Sequence, residues 1–252
     1  MNPKKAKSHF KLMGKTIFFP EKGILTIGDL HLGYTEMLRE QGIMIEIDQL
    51  EETKKELEPI IKRVKTLHTL KKIILIGDIK HHFKFDRGEF FEVWNFLKFL
   101  EKQVGKKNLI IIKGNHDTYK IKGHELRDFY IEDEIAFTHG DKSYPELFEK
   151  KIKTIVTGHL HPAVNLKDPN GIKREKFKCF LIGKHKRKEF IIMPSFFSFT
   201  EGINFDDIGG RKGFDQIISK QKLKSFNTYI VGRNKIYNFG KFRNLISGTN
   251  QT

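Results

Sequence analysis

One cysteine stands among 252 residues. A disulfide within the chain is therefore excluded, and so is a zinc site built from several thiolates. Cys179 is expected to be a small buried hydrophobe, in a reducing, cytoplasmic setting. Long apolar runs are missing too. No segment approaches the roughly 20 apolar residues of a membrane-spanning helix. The basic opening stretch MNPKKAKSHFKLMGK lacks the apolar core of a signal peptide. No internal repeat, Pro/Ser/Gly linker, low-complexity block or Walker-type glycine loop is present, so a single domain over residues 1–252 is expected. An acidic excess is also absent. Lys and Arg number 47 against 31 Asp and Glu, a formal net charge of +16. That balance draws polyanions and makes binding salt-sensitive, and it is equally what lysines on solvated helix faces would give.

What the chain does contain is short apolar runs alternating with amphipathic stretches. Residues 23–28, 72–77, 108–114, 134–140 and 154–158 are rich in Ile, Val and Leu and predict buried strands. Residues 46–67 space Ile47, Leu50, Leu57, Ile61 and Val64 as one helical face. Residues 89–104 do the same with Phe90, Phe91, Trp94, Leu97, Leu100 and Val104, and core packing is the expected role of these rings. After residue 165 the texture turns to strands. The stretch 177–197 reads as two strands joined by a basic turn, and 225–243 as a hairpin turning near Gly232–Asn234. Strand–helix alternation followed by strands predicts α/β layers with a mixed sheet rather than two separate domains.

The ends of the five predicted strands share one chemistry. Ile27 is followed by Gly28, Asp29 and His31; Ile76 by Gly77 and Asp78. The third strand leads into Gly114, Asn115, His116 and Asp117, the fourth into His139 and Gly140, the fifth into Gly158, His159 and His161. Each offers a metal-ligating group, in most cases just after a glycine that lets the backbone turn sharply and approach an ion closely. Ligands collect at the carboxyl ends of strands in open α/β sheets. Residues i and i+2 share one side of an extended chain, which accounts for the Asp29-x-His31 and His159-x-His161 spacing. Carboxylates, an amide oxygen and imidazoles suit Mn²⁺, Fe²⁺, Zn²⁺ or Co²⁺.

On these residues the chain resembles the calcineurin-like metallophosphoesterases, whose ordered motifs are matched by GDLH, GD, GNHD, HG and GHLH. The longer matches GDLHLGY (28–34), GDIKHHF (77–83), GHLHPA (158–163) and MPSF (193–196) resemble a narrower group. It comprises the archaeal phosphoesterases related to the SbcD-type repair nuclease and the bacterial DNA-ligase-associated metallophosphoesterases. The motifs span residues 28 to about 200. The resemblance implies a four-layer αββα sandwich of two mixed sheets flanked by helices. It also implies two divalent ions, Mn²⁺ first, with Fe²⁺, Zn²⁺, Co²⁺ or Ni²⁺ as alternatives. One ion would take Asp29, His31 and His161; the other would take Asn115, His139 and His159; Asp78 would bridge them. His116 would face the leaving oxygen, oriented by Asp117. Where many members carry another acidic residue after GD, this chain reads Ile79, Lys80, His81 and His82. The resemblance makes His81 an active-site or supporting histidine, and Lys80 is a candidate phosphate contact; an exposed loop is the alternative for Lys80 and His82.

Two such ions can clamp a phosphate and make water nucleophilic, and a protonated His116 can serve the departing alkoxide. The expected activity is phosphodiester hydrolysis on nucleic acids or nucleotides. The alternatives are an SbcD-like DNA repair nuclease and a catalytically weak interaction scaffold. Expected partners are nucleic acid or nucleotide, with DNA-repair proteins and a second copy of the chain as further candidates, and no membrane. His9, His68, His124 and His185 read as surface or packing residues, and Asp206, Asp207 and Asp215 as turn formers. Basic clusters occur at 150–153, 173–178 and 184–188; the latter two would guide a nucleic-acid backbone if they flank the cleft. Phe196, Phe197 and Phe199 are read as core or as stacking surfaces.

Overall fold

The computed structural model describes residues 9–82, 86–121, 123–167, 174–203 and 217–246. The chain opens with the hairpin β1 (Lys11–Met13) and β2 (Thr16–Phe19), then β3 (Ile24–Gly28), α1 (Tyr34–Glu40), α2 (Gln49–Leu67), β4 (Lys72–Ile76), α3 (Arg87–Val104), β5 (Leu109–Ile112) and the short β6 (Leu126–Arg127). It continues through β7 (Phe129–Glu132), β8 (Ile135–Thr138), β9 (Thr154–Thr157), β10 (Ala163–Lys167), β11 (Arg174–His185), β12 (Lys188–Ile192), α4 (Lys220–Leu223), β13 (Asn227–Val231), β14 (Ile236–Lys241) and α5 (Phe242–Ile246).

Two mixed sheets result. The first runs β1-β2-β3-β4-β5-β6, with β3 to β6 parallel. The second runs β14-β13-β11-β12-β9-β8-β7, with β10 added to the first half of β11. There β8, β9 and β12 are parallel.

The period-two alternation of each strand divides the core into three interfaces. Leu25, Ile27, Ile73, Leu75 and Ile111 face Leu57, Ile61 and Val64 of α2 and Phe96, Leu97 and Leu100 of α3. Their strand neighbours Ile24, Ile74, Ile76, Ile110 and Ile112 face the other way, onto Phe137, Val156, Phe180, Ile191 and Met193 of the second sheet. The far side of that sheet, with Ile155, Leu181, Phe190 and Ile192, packs on Leu223, Phe226 and Phe242. Runs such as KIILI are apolar throughout because both faces are covered. The order is helices, sheet, sheet, helices, the four layers that were expected.

Both long helices open on an aspartate. Asp48 Oδ1 accepts from Glu51 N at 3.0 Å, and Asp86 Oδ1 from Glu89 N at 2.7 Å. Ile47 thus lies before α2 and is exposed, whereas the sequence spacing placed it on the helical face. On α3 the buried stripe is Glu89, Val93, Phe96, Leu97 and Leu100. Phe91 and Trp94 fall outside that arc and are 55% and 45% exposed, so their expected core role is corrected. Both C-terminal hairpins form, the first through a two-residue turn at Lys186 and Arg187, each with positive φ. Asp206, Asp207 and Asp215 lie outside the described residues. Among the described residues no helix is long and apolar enough to cross a membrane.

Candidate metal centre

Parallel strands deliver their carboxyl ends to one edge, and the two sheets meet there. Asp29, His31, Asp78, His159 and His161 all adopt left-handed backbone, with φ between 47° and 64°. They make up five of the eight non-glycine residues with positive φ among the described residues. Such a conformation costs on the order of 1–3 kcal/mol per residue, so strain is concentrated where the candidate ligands sit. Cross-loop hydrogen bonds hold it in place. His31 N donates to Asp78 O at 2.9 Å and Leu32 N to Ile79 O at 2.8 Å. The ligand spacing is therefore produced by left-handed turns just past the strands, and not by the extended chain that the i, i+2 argument assumed. The glycines make room. A Cβ at Gly158 would stand 2.4 Å from Asp29 Oδ2.

Donor atoms of Asp29, His31, Asp78 and His161 lie within 4.8 Å of one another, and those of Asp78, His139 and His159 form a second such group. Asp78 belongs to both. Asn115 Oδ1 lies 3.1 Å from His139 Nε2, beside the second group. All seven positions read as ligands are thus brought together.

The geometry fits divalent cations. Both ring nitrogens of His31 and Nε2 of His161 are buried without a hydrogen-bond partner among the described residues. His161 Nε2 stands 3.2 Å from Asp29 Oδ1, and His31 Nε2 stands 3.7 Å from Asp78 Oδ2. His159 Nδ1 and His139 Nε2 approach to 3.1 Å. His139 Nδ1 meets the Ile76 carbonyl at 3.0 Å, which requires its proton on Nδ1 and turns Nε2 toward Asp78 at 3.4 Å. That is the outer support by which a ligating imidazole is oriented.

Electrostatics point the same way. Burial would raise Asp78, but the histidines around it, His139 foremost, hold its carboxyl well below the usual range. Burial would lower His139, but Asp78 and Asp29 push it up to about 10. Burial pushes His31 well down. Two carboxylates enclosed by imidazoles call for positive charge, and neutral His31 is ready to ligate.

His116 donates its backbone N–H to Asp78 Oδ1 at 2.9 Å, and its Nδ1 meets the His81 carbonyl at 2.7 Å. Its ring centroid is 4.8 Å from that of His31 and 5.8 Å from that of His81, which stacks on it. Burial, then His116, depresses His81 to about 4. Asp117 is fully buried. Its Oδ2 accepts from Gly114 N at 2.8 Å and its Oδ1 from Ile79 N at 3.1 Å. It thus ties the two loops together, and the contact that orients His116 at Nδ1 is the His81 carbonyl.

Lys80 is fully buried, its Nζ donating to the His82 carbonyl and lying 4.2 Å above the Tyr119 ring. Neither a phosphate contact nor an exposed loop describes that position, since the side chain runs beneath the loop; His82 is itself half-buried. The basic clusters are also partly internal. Lys178 Nζ donates to Ser195 O and Ser195 Oγ at 3.0 and 2.9 Å, and Lys188 Nζ to Glu149 O and Ile152 O at 2.6 Å. Because β12 runs parallel to β9, residues 150–153 and 184–188 lie where those strands begin, at the end opposite the site. Cluster 184–188 therefore does not meet the condition of flanking the cleft. Lys173 lies outside the described residues. His9, His68, His124 and His185 pair or stack with Glu189, Lys11, Glu101 and Phe190, away from the centre.

Sequence reasoning missed Gln49. It is buried, accepts from Tyr34 N at 2.9 Å and donates to His31 O at 2.8 Å, so it fixes the loop that carries His31. Its signal was a polar residue at an apolar-stripe position, four before Thr53 and eight before Leu57.

The sequence model of a family described as calcineurin-like phosphoesterase matches residues 23–231. No curated protein matches the chain in sequence. Among solved structures, the nuclease MPE of Pseudomonas putida is similar at 19% identity, with a TM-score of 0.57, over 89% of this chain and 92% of that one. Vacuolar protein sorting 29 of Cryptosporidium parvum is similar at 13% identity, with a TM-score of 0.41, over 86% and 97%. The likeness to the nuclease, at 19% identity, shows the fold alone. With a family match over most of its length, on a fold of two mixed sheets and a buried Asp/His cluster where they meet, the chain belongs to the calcineurin-like phosphoesterases.

Proposed function

We propose that the chain is a phosphodiesterase that works with two divalent ions, Mn²⁺ first, on nucleic acids or nucleotides. One observation carries the reading: Asp78 belongs to both donor groups, and His116 is anchored to it through its backbone. Asp29, His31, Asp78 and His161 would hold one ion; Asp78, Asn115, His139 and His159 would hold the other. When bound, the ions polarise phosphate oxygens and lower the pKa of water. The chain's own groups do the rest. Two carboxylates leave a pair of divalent ions with net positive charge, which suits a phosphodiester anion. A carbonyl only accepts, so the His81 contact places a proton on His116 Nδ1 and leaves Nε2 to deliver a second proton to the leaving oxygen.

The rings beside the centre support a substrate that carries bases. Phe197 packs 5.5 Å from His31 and 5.0 Å from Tyr34, and Phe199 follows at 5.8 Å from Phe197. Tyr34 and Phe199 are partly exposed and suit base stacking, while Phe196 is buried in the helix-side core.

The test is a substrate panel with Mn²⁺ against EDTA. It covers bis-p-nitrophenyl phosphate, a phosphomonoester, cyclic nucleotides, and single- and double-stranded DNA and RNA. Diester hydrolysis is expected with Mn²⁺ and is abolished by EDTA, and His116→Ala lowers kcat by about 10²–10⁴. Wild-type turnover by His116→Ala, or indifference to EDTA, contradicts the reading.

A further inference from the structure

Glu89 occupies a place that apolar packing would give to a leucine. It lies on the buried stripe of α3 with Val93 and Phe96 and is 0% exposed. A carboxylate there is costly unless several donors satisfy it. Three do so, from two different loops. Oε1 accepts from His81 N at 2.7 Å and His82 N at 2.6 Å, and Oε2 accepts from Tyr119 Oη at 2.7 Å. His81 N–H is shared with Leu32 O at 2.8 Å, which joins the loop after β3 to the same knot.

The local sequence shows that this reach is directed. Asp86 and Glu89 have the spacing of a capping box, in which the glutamate turns back to its own N-cap N–H. Here Asp86 caps Glu89 N, and the Glu89 carboxylate leaves the helix for the loops. Gly33 provides the room, since a Cβ there would stand 2.6 Å from Glu89 Cγ.

The knot ends at His116. The His81 peptide unit held by Glu89 is followed by the His81 carbonyl, and that carbonyl meets His116 Nδ1 at 2.7 Å. Tyr119, the other partner of Glu89, lies three residues after His116 on the loop that carries the ring. We propose that Glu89 is a positioning residue that sets the tautomer and aim of His116 by fixing both the loop that supplies its acceptor and the loop that bears it. The role of His116 as proton donor rests on the phosphodiesterase reading; the link from Glu89 to the His116 ring does not.

Two readouts test it. The first is proton–nitrogen correlation NMR of the His116 ring in EDTA-stripped protein. Wild type shows one tautomer, protonated at Nδ1. Glu89→Gln keeps it, because the amide oxygen still accepts from the loop. Glu89→Ala gives a mixture of tautomers. Glu89→Asp keeps the carboxyl group but is one methylene short, and it gives the mixture even if the alanine variant fails to fold. The second readout compares a p-nitrophenyl diester with its phenyl counterpart in the Mn²⁺-loaded enzyme. A proton donor matters more to the poorer leaving group. Glu89→Asp therefore lowers kcat on the phenyl ester about tenfold more than on the p-nitrophenyl ester, with little change in KM, and Glu89→Gln restores it. An unchanged tautomer in Glu89→Asp, or equal losses on both esters, overturns the proposal. The predicted NMR pattern in a wild-type chain that hydrolyses no diester upholds the link and overturns the phosphodiesterase reading.

Discussion

A single methyl group at Gly114 would meet the site directly. A Cβ there would stand 2.2 Å from Asp78 Oδ1 and 2.3 Å from Asp78 N. The neighbour is the carboxylate shared by both donor groups, and its backbone is already in a left-handed turn, so it has little freedom to yield. Gly114→Ala is predicted to weaken Mn²⁺ binding by about 10–100-fold, the range of disturbed outer support around a metal. Calorimetry reads the affinity, and far-ultraviolet circular dichroism confirms that the fold remains. Wild-type affinity would contradict the close approach. At this scale the sequence was legible in what it supplied and less so in how. Residue types and their order at strand ends announced the Asp/His cluster. The left-handed turns of Asp29, His31 and His159 were hidden, because non-glycine residues carry no local sign that surrounding contacts will hold them at positive φ. Lys80 misled for a related reason, since burial beneath a loop depends on Tyr119, a residue distant in sequence.

Among the elements, α3 ties packing to the site most closely. Besides Glu89, it carries half-buried Glu92, whose Oε2 accepts from Gly33 N at 2.8 Å, just before α1. Burial, then Glu36 and Asp48 nearby, raises the Glu92 carboxyl from 4.5 to about 7 against that hydrogen bond. Between these two values the folded chain binds more protons than the unfolded chain, so this group's contribution to stability falls as pH rises through that window. Glu92→Gln keeps an acceptor for Gly33 N and removes the titration. It is predicted to flatten the decline of Tm between about pH 5 and pH 7 and to raise Tm relative to wild type near pH 8. Equal slopes in scanning calorimetry would contradict the assignment. The helical stripes of α2 and α3 were legible because apolar spacing reports a buried face. Phe91 and Trp94 were misplaced because bulk and hydrophobicity do not say which side of an amphipathic arc a ring falls on. The hairpin of β1 and β2 went unread; its strands have three and four residues, too few to show a period.

For the whole molecule, the topology sets two basic segments apart from the site. Parallel strands from both sheets bring Asp29, Asp78, His139 and His159 to one edge, while the basic segments 150–153 and 184–188 gather where β9 and β12 begin, at the other end. A net charge of +16 favours polyanions in general, and the aromatic face of Tyr34 and Phe199 is a nearer candidate for substrate contact than those two segments. Layering of helices on sheet was foreseeable because fully apolar strands need cover on both sides; the four-layer order was legible only through the family resemblance. The proposed chemistry stands on a pair of divalent ions held around Asp78. Titrating EDTA-stripped protein with Mn²⁺ in a calorimeter counts them. The prediction is about two ions per chain for wild type and loss of that pair in Asp78→Ala. No binding by wild type, or the same stoichiometry and affinity in Asp78→Ala, would contradict it.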